Sequence, residues 1–131
     1  MVEYNILILE DDPERMKKLR QFVIGYSHIW CKTSTEAINA LKGQKVHWVM
    51  LDHDLADEHY IKSPDDYILA GTGQDTADWI AAFKPDIRGV IIHSLNPVGS
   101  MNMKRVLERV NIHTIHKPGI WNMGHISAYI E

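Results

Sequence analysis

The feature that most constrains the fold is a series of short apolar runs, each of which stops abruptly at polar or charged residues. Residues 5–9 form the first run, and Glu10, Asp11, Asp12 and Pro13 end it. An uninterrupted apolar run of this length before a turn signal is typical of a strand that is buried on both faces. Strands of this kind belong to parallel sheets, in which helices cover both faces.

Amphipathic segments separate the apolar runs. Residues 13–26 place Met16, Leu19, Phe22 and Val23 on one side at helical spacing, and proline is favoured in the first turn of a helix. Another helix is predicted over residues 34–42, with Ser34 as its cap and Gly43 at its end. The remaining predicted elements are strands at residues 29–32, 46–51, 88–93 and 112–116, helices at residues 74–84 and 101–110, the latter with Asn96 and Pro97 as cap and first turn, and a short helix from about Trp121.

The chain of 131 residues fits a single α/β domain, residues 1–131, with a five-stranded parallel sheet and helices on both faces. Its net charge of −3, with scattered basic residues, argues against duplex DNA as a partner. Cys31 is the only cysteine, so an intrachain disulfide is excluded and the cytoplasm is the expected location. The first residues resemble neither a secretion signal nor a membrane span. The sequence leaves open whether the chain forms a homodimer.

Side chains that can bind metals or phosphates gather where the predicted strands end. Because parallel strands end at one edge of a sheet, these side chains are expected along a single rim. Crowded carboxylates repel one another unless a cation neutralises them. Oxygen ligands favour Mg²⁺, Mn²⁺ or Ca²⁺, and added imidazoles favour Mn²⁺, Fe²⁺ or Zn²⁺. The rim consists of Asp11 and Asp12, then Asp52 and Asp54 with His53, then His93 and Ser94, and last His116 and Lys117.

This arrangement resembles the receiver domains of two-component response regulators. In that family an acidic pair after the first strand binds Mg²⁺, which Asp11 and Asp12 resemble, and an aspartate at the end of the third strand accepts a phosphoryl group, which Asp52 matches. A hydroxyl residue after the fourth strand and a lysine after the fifth match Ser94 and Lys117. The resemblance implies a flavodoxin-like three-layer sandwich with strand order 2-1-3-4-5. It also implies a cis peptide bond between Lys117 and the proline that follows.

Two motifs depart from ordinary receivers. Residues 51–55 read Leu-Asp-His-Asp-Leu, and residues 93–99 read His-Ser-Leu-Asn-Pro-Val-Gly. The loop over residues 57–73 is also longer than receivers normally have. Together these features resemble the cyclic-phosphate processing receiver domains. That resemblance implies action on a small phosphate-containing ligand, a cyclic nucleotide or an RNA end.

Hydrolysis of a cyclic phosphodiester needs charge stabilisation, an activated water and a proton donor for the leaving oxygen. The metal, Mg²⁺ or Mn²⁺, is expected on Asp11, Asp12 and Asp52, with Asp54 as a further candidate ligand.

The remaining rim residues supply the other groups that this reaction needs. His53 or His93 is the candidate acid or base, because imidazole titrates near neutral pH. Ser94, Asn96 and Lys117 are the candidate phosphate ligands, and Ser94 and Lys117 also join the candidate catalytic set of Asp52, His53 and His93.

Two other functions stay open. Asp52 is also the expected acceptor if the chain is a phosphorelay receiver, although Asp54 adds negative charge that disfavours another anionic group nearby. A third interpretation is a non-catalytic domain that binds a phosphorylated nucleotide. The Asp11–Asp12 pair before Pro13 has a simpler interpretation too, as the N-cap of a helix.

Overall fold

The computed structural model describes residues 2–55 and 71–131. Most of the long loop predicted at residues 57–73 therefore lies outside the described residues. Strands and helices alternate along the described chain as predicted. The elements are β1 (Glu3–Leu9), α1 (Pro13–Phe22), β2 (His28–Cys31), α2 (Ser34–Gly43), β3 (Lys45–Leu51), α3 (Gly73–Phe83), β4 (Gly89–Ile92), α4 (Pro97–Arg109), β5 (Thr114–His116), a 3₁₀ helix (Ile120–Asn122) and α5 (Ser127–Ile130).

All neighbouring strands of the sheet are parallel, and their order is β2-β1-β3-β4-β5. The predicted five-stranded sheet and its 2-1-3-4-5 order are thus confirmed. In this order the chain reverses its direction of travel across the sheet between β1 and β3. Ligands of open α/β sheets bind at the carboxyl edge beside such a switch point.

The sheet separates two apolar layers, because successive side chains of a strand point to opposite faces. On one face, Leu7, Leu9, Val49 and Leu51 pack under α2, α3 and α4. On the other face, Ile6, Ile8, Trp48 and Met50 pack under α1 and the C-terminal segment. Burial on both faces explains why the three central strands contain continuous apolar runs, at residues 6–9, 48–51 and 90–92, rather than alternating ones. None of the helices within residues 2–55 and 71–131 is long and apolar enough to cross a membrane.

Local capping sets where several helices begin. Asp12 is the N-cap of α1 and accepts a hydrogen bond from the backbone N–H of Glu14 at 2.9 Å. The prediction that Ser34 caps α2 is wrong by one residue. Thr33 has the extended backbone of an N-cap and accepts from the N–H of Glu36 at 3.1 Å, so Ser34 is already in the helix.

In the C-terminal half, the start of α4 is as predicted and the start of β5 is later than predicted. Asn96 caps α4 as predicted, and the helix begins at Pro97, which fits the first helical position. The backbone N–H of Ile112 bonds to the carbonyl of Leu107, at the end of this helix. That bond and the left-handed backbone of Asn111, with φ of 63°, delay the start of β5.

The prediction of a cis peptide bond before Pro118 is wrong: the Lys117–Pro118 bond is trans. The trans form is intrinsically favoured by about 0.5–1 kcal/mol for a bond to proline. Gly119 makes the reversal into the 3₁₀ helix instead, with a left-handed φ of 68° that glycine adopts without steric cost.

Candidate functional site

The last residues of β1, β3 and β4 are aligned with one another across the sheet. The residue that follows each strand is therefore also aligned, and these three residues are Glu10, Asp52 and His93. Backbone hydrogen bonds extend the ladder to this level, since the N–H of Asp52 bonds to β1 and that of His93 bonds to β3, each at 3.1 Å. The sheet itself brings the three side chains together.

Glu10, Asp52 and His93 form a buried cluster at the carboxyl edge. One ligand atom from each lies within 4.8 Å of the other two. Glu10 and His93 are wholly buried, and Asp52 is 3% exposed. Nε2 of His93 lies 3.2 Å from Oε1 of Glu10, and its ring packs edge-on against Trp121. Two carboxylates and an imidazole buried together are a donor set for a divalent cation.

The guanidinium of Arg15, on α1, lies among these acids. Its Nη2 atom is 3.0 Å from Oε2 of Glu10, 3.3 Å from Oδ2 of Asp52 and 3.8 Å from Oδ1 of Asp11. Its Nε atom lies 3.7 Å from Oδ2 of Asp12. In the described structure, this one cation faces four carboxylates.

The acids respond to this crowding in opposite ways. Burial by itself raises the pKa of Glu10, but the hydrogen bond to His93 and the attraction of His93 and Arg15 outweigh it and hold the pKa at about 2. Burial and repulsion by Glu10 and Asp52 raise the pKa of Asp11 to about 7. Burial and repulsion by Glu10 raise the pKa of Asp52 to about 6. Burial and the neighbouring carboxylates therefore disfavour the charged forms of Asp11 and Asp52, although Arg15 lies beside both.

A second polar cluster, of His53, Asp54 and Asn96, joins the two unusual motifs. Nδ1 of His53 lies 2.8 Å from Oδ1 of Asp54. The side-chain amide of Asn96 lies 3.2 and 3.4 Å from the two oxygens of Asp54. The hydrogen bond from His53 lowers the pKa of Asp54. The Leu-Asp-His-Asp-Leu motif and the Asn-Pro-Val-Gly turn are thus in direct contact.

Three of the predicted site residues do not belong to the buried cluster, and they are Asp12, Ser94 and Lys117. Asp12 caps α1, as the simpler interpretation expected. Ser94 is buried, and its hydroxyl accepts from the N–H of Asn96 at 3.1 Å. Lys117 is exposed and forms no ion pair with a carboxylate of the described residues. Arg15 rather than Lys117 is the cation beside Asp52.

The sequence from residue 6 to residue 109 matches the family model of the cyclic-phosphate processing receiver domain. The match includes Glu10, Arg15, Asp52, His93 and Asn96. The chain belongs to the cyclic-phosphate processing receiver domain family. Among curated proteins, no sequence matches the chain significantly.

Solved receiver structures share the fold of this cyclic-phosphate processing receiver domain at low sequence identity. A CheY-like response regulator receiver domain from Methanospirillum hungatei JF-1 is 16% identical, with a TM-score of 0.64 over 94% of this chain and 86% of that one. The receiver domain of a putative Luxo repressor protein from Vibrio parahaemolyticus is 20% identical, with a TM-score of 0.63 over 93% and 84%. The BeF3-activated DrrB receiver domain is 17% identical, with a TM-score of 0.62 over 94% and 91%.

Sequence reasoning about this cyclic-phosphate processing receiver domain missed two residues of the site. The sequence pattern places Glu10 only in the turn after the first strand, although it follows that strand directly, as Asp52 and His93 follow theirs. Glu10, Asp52 and His93 each come one residue after the end of an apolar run, and this shared spacing is the signal in the sequence that points to Glu10. Arg15 has a weaker signal, since it lies one helical turn after Asp11 and next to the buried residue Met16.

The Gly71-Thr72-Gly73 segment of the cyclic-phosphate processing receiver domain has a packing role. A Cβ atom on Gly73 would overlap the backbone carbonyl oxygen of Asp52. The N–H of Gly73 bonds to the carbonyl of His53 at 2.8 Å. The start of α3 thereby supports the backbone on which Asp52 and His53 stand.

Proposed function

We propose that this domain is a metal-dependent phosphoesterase that opens a cyclic phosphodiester in a small ligand, a cyclic nucleotide or an RNA end. The observation that carries the proposal is the buried cluster of Glu10, Asp52 and His93 at the carboxyl edge, beside Asp11. The family match supports the cyclic phosphate as the ligand class. The location at a switch point of the sheet supports a binding site there.

The residues present fit a divalent cation. Glu10, Asp52 and His93 would hold it, with Asp11 as a further oxygen donor. The raised pKa values of Asp11 and Asp52 are what uncompensated carboxylates show, and a cation would favour their charged forms. Carboxylates suit Mg²⁺ and Mn²⁺, and the single imidazole favours Mn²⁺ of the two. When bound, such an ion would neutralise charge on the phosphoryl oxygens and lower the pKa of a water molecule.

The protein groups around the cluster suit the rest of the reaction. Arg15, whose side chain is 28% exposed, would turn its guanidinium from the acids to the phosphoryl oxygens. Ser94, Asn96 and Lys117 are the further candidate phosphate ligands. Lys117 is free of ion pairs to the described carboxylates, so a bound phosphate would give its ammonium group a partner.

Turnover of 2′,3′-cyclic AMP tests the proposal. Purified protein with Mn²⁺ or Mg²⁺ should produce a phosphomonoester that ³¹P NMR detects, and EDTA should stop the reaction. Glu10→Gln and Asp52→Asn should each abolish turnover. Asp86→Asn is the matched control, because Asp86 is an exposed aspartate that pairs with Lys45 at the start of β3, whereas the acids of the cluster follow the ends of the strands. If the protein turns over no 2′,3′-cyclic AMP with Mn²⁺ and none with Mg²⁺, the proposal is overturned.

A second candidate function is phosphorylation of Asp52. The observation that favours it is the position of this carboxylate at the end of β3, beside Glu10 and Asp11, in a receiver fold. Intact-mass measurement after treatment with acetyl phosphate and Mg²⁺ tests it, with Asp52→Asn as the control. A phosphoryl group that appears on the wild type but not on the variant would support the receiver function, and no mass change would refute it.

A further inference from the structure

We propose that His53, rather than His93, transfers the proton in this reaction, and that Asp54, Asn96 and Gly99 are the positioning residues that hold its ring. The inference rests on the proposed function and assigns the acid and base that the sequence left open between two histidines. Its evidence is the set of contacts between the two unusual motifs.

The tautomer of His53 follows from its contact with Asp54. An ionised carboxylate only accepts hydrogen bonds, so the Nδ1 atom that lies 2.8 Å from Oδ1 must carry hydrogen. The amide nitrogen of Asn96 also lies 3.4 Å from Nδ1, but two donors do not bond to each other. In the neutral ring, Nε2 then holds the lone pair. No described residue is hydrogen-bonded to Nε2, and the side chain is 19% exposed.

Asn96 fixes the orientation of Asp54. Its side-chain oxygen accepts from the backbone N–H of Gly99 at 2.9 Å, which is the N-cap bond of α4. The amide nitrogen must therefore point the other way, toward both oxygens of Asp54. One asparagine thus starts the helix and anchors the carboxylate that orients His53.

Gly99 makes room for the imidazole ring. A Cβ atom at this position would lie 2.5 Å from both Cγ and Cδ2 of His53, closer than any real contact of this kind. The ring lies directly against the first turn of α4, where only glycine leaves space for it. This contact gives a physical reason for glycine at the end of the His-Ser-Leu-Asn-Pro-Val-Gly motif.

His93 is in the opposite situation. It is wholly buried, its Nε2 atom is engaged by Glu10, and its Nδ1 atom is buried without a partner among the described residues. A ring enclosed in this way suits a metal ligand. A proton-transfer group must instead reach the water and the leaving oxygen.

The proton balance of the reaction is simple. As the water oxygen forms its bond to phosphorus, a water proton moves to Nε2 of His53. The bond between phosphorus and one ribose oxygen then breaks, and the electron pair stays on that oxygen. Nε2 returns the proton to this oxygen, so that the ring ends neutral and a phosphomonoester with a free hydroxyl is formed.

NMR of the imidazole nitrogens tests the positioning independently of activity. In protein labelled with ¹⁵N-histidine, at a pH where the ring is neutral, His53 should show hydrogen on Nδ1, and His53→Gln identifies its signals. Gly99→Ala and Asp54→Asn should shift these signals. Gly43→Ala should leave them unchanged, because a Cβ on Gly43 meets nothing within 4 Å. Hydrogen on Nε2 instead would overturn the inference.

Turnover of 2′,3′-cyclic AMP tests the proton transfer. His53→Gln should lower kcat about 100-fold or more while KM and Mn²⁺ binding stay close to the wild-type values. Asn96→Asp keeps an acceptor for the Gly99 N–H but loses the donor to Asp54, so it should lower kcat without unfolding α4. An inactive wild type would overturn the proposed function and this role with it. An active wild type whose rate is unchanged by His53→Gln would overturn the role of His53 alone.

Discussion

Nε2 of His93 lies 3.2 Å from Oε1 of Glu10, and neither side chain is accessible to solvent. The two residues follow directly after β4 and β1, which are separated in the sheet by β3. Asp52, which follows β3, completes the cluster between them. The interaction links the ends of β1 and β4 across β3, and it is therefore both a stability element and part of the proposed metal site.

Replacing Glu10 by glutamine should destabilise the metal-free protein markedly. The low pKa of Glu10, about 2, shows that the fold favours its charge. Loss of that charge leaves His93 and Arg15 facing a neutral amide. We expect the free energy of unfolding at pH 7 to fall by about 3 kcal/mol, as measured by urea denaturation. Glu14→Gln, an exposed change in the first turn of α1, should cost less than about 1 kcal/mol, and equal losses in the two variants would contradict the prediction.

Asp11 should make the metal-free protein less stable as the pH rises. Its pKa is raised in the folded state from 3.8 to about 7, so between these values the unfolded chain loses its proton first. Each increase in pH across this window then favours the unfolded state, and the penalty is complete above pH 7. Asp11→Asn should therefore stabilise the protein in EDTA at pH 7.5, on the order of 1–3 kcal/mol, with little effect at pH 4.

Thermal unfolding of the wild type and Asp11→Asn across this pH range measures the difference. Saturating Mn²⁺ should reduce the advantage of the variant, because the ion favours the charged carboxylate in the wild type. A difference between the two proteins that does not vary with pH would rule out the titration of Asp11 as its cause.

Arg15 should compete with a divalent cation for the same carboxylates. Its guanidinium contacts Glu10 and Asp52, which are two of the proposed ligands. Arg15→Gln removes this competitor, so Mn²⁺ affinity measured by calorimetry should increase about 5- to 10-fold, which corresponds to about 1–1.4 kcal/mol. Stability without metal should fall, because the acids lose their nearest cation.

Lys18→Gln is the matched control for this change, as Lys18 is an exposed cation on the same helix. Its effect on Mn²⁺ affinity should be small and should vanish at high salt, where exposed charges are screened. Weaker Mn²⁺ binding by Arg15→Gln would show that Arg15 orients the carboxylates rather than competing for them.

Gly73→Ala should be among the most destabilising single substitutions in the chain. Its Cβ would overlap the carbonyl oxygen of Asp52, which is backbone and has no room to move. We expect a loss of about 3 kcal/mol in urea denaturation. Gly43→Ala, at the last residue of α2 and with open space around it, should stabilise the protein slightly, by less than about 1 kcal/mol. A mild effect of Gly73→Ala would contradict the close approach of the start of α3 to the backbone of Asp52 and His53.

Much of the fold could be predicted because its causes are local. Short apolar runs such as residues 6–9, cut off by turn residues, are typical of strands buried on both faces. Asn96 and Pro97 together are a typical start of a helix. The error at Ser34 is of the same local kind. Thr33 and Ser34 are both good N-cap residues. The backbone conformation selects between them, and it cannot be read from the sequence.

The sequence by itself determined the parallel sheet, the edge at which the polar residues gather and the two motifs that mark the family. Only the tertiary structure decided which of these residues meet. Strand register placed Glu10 beside Asp52 and His93, whereas Asp12 caps α1. The rotation of α1 about its axis turned Arg15 toward the acids. Contacts across strands depend on alignment over many residues of separation, and a one-residue difference changes the face to which a side chain points.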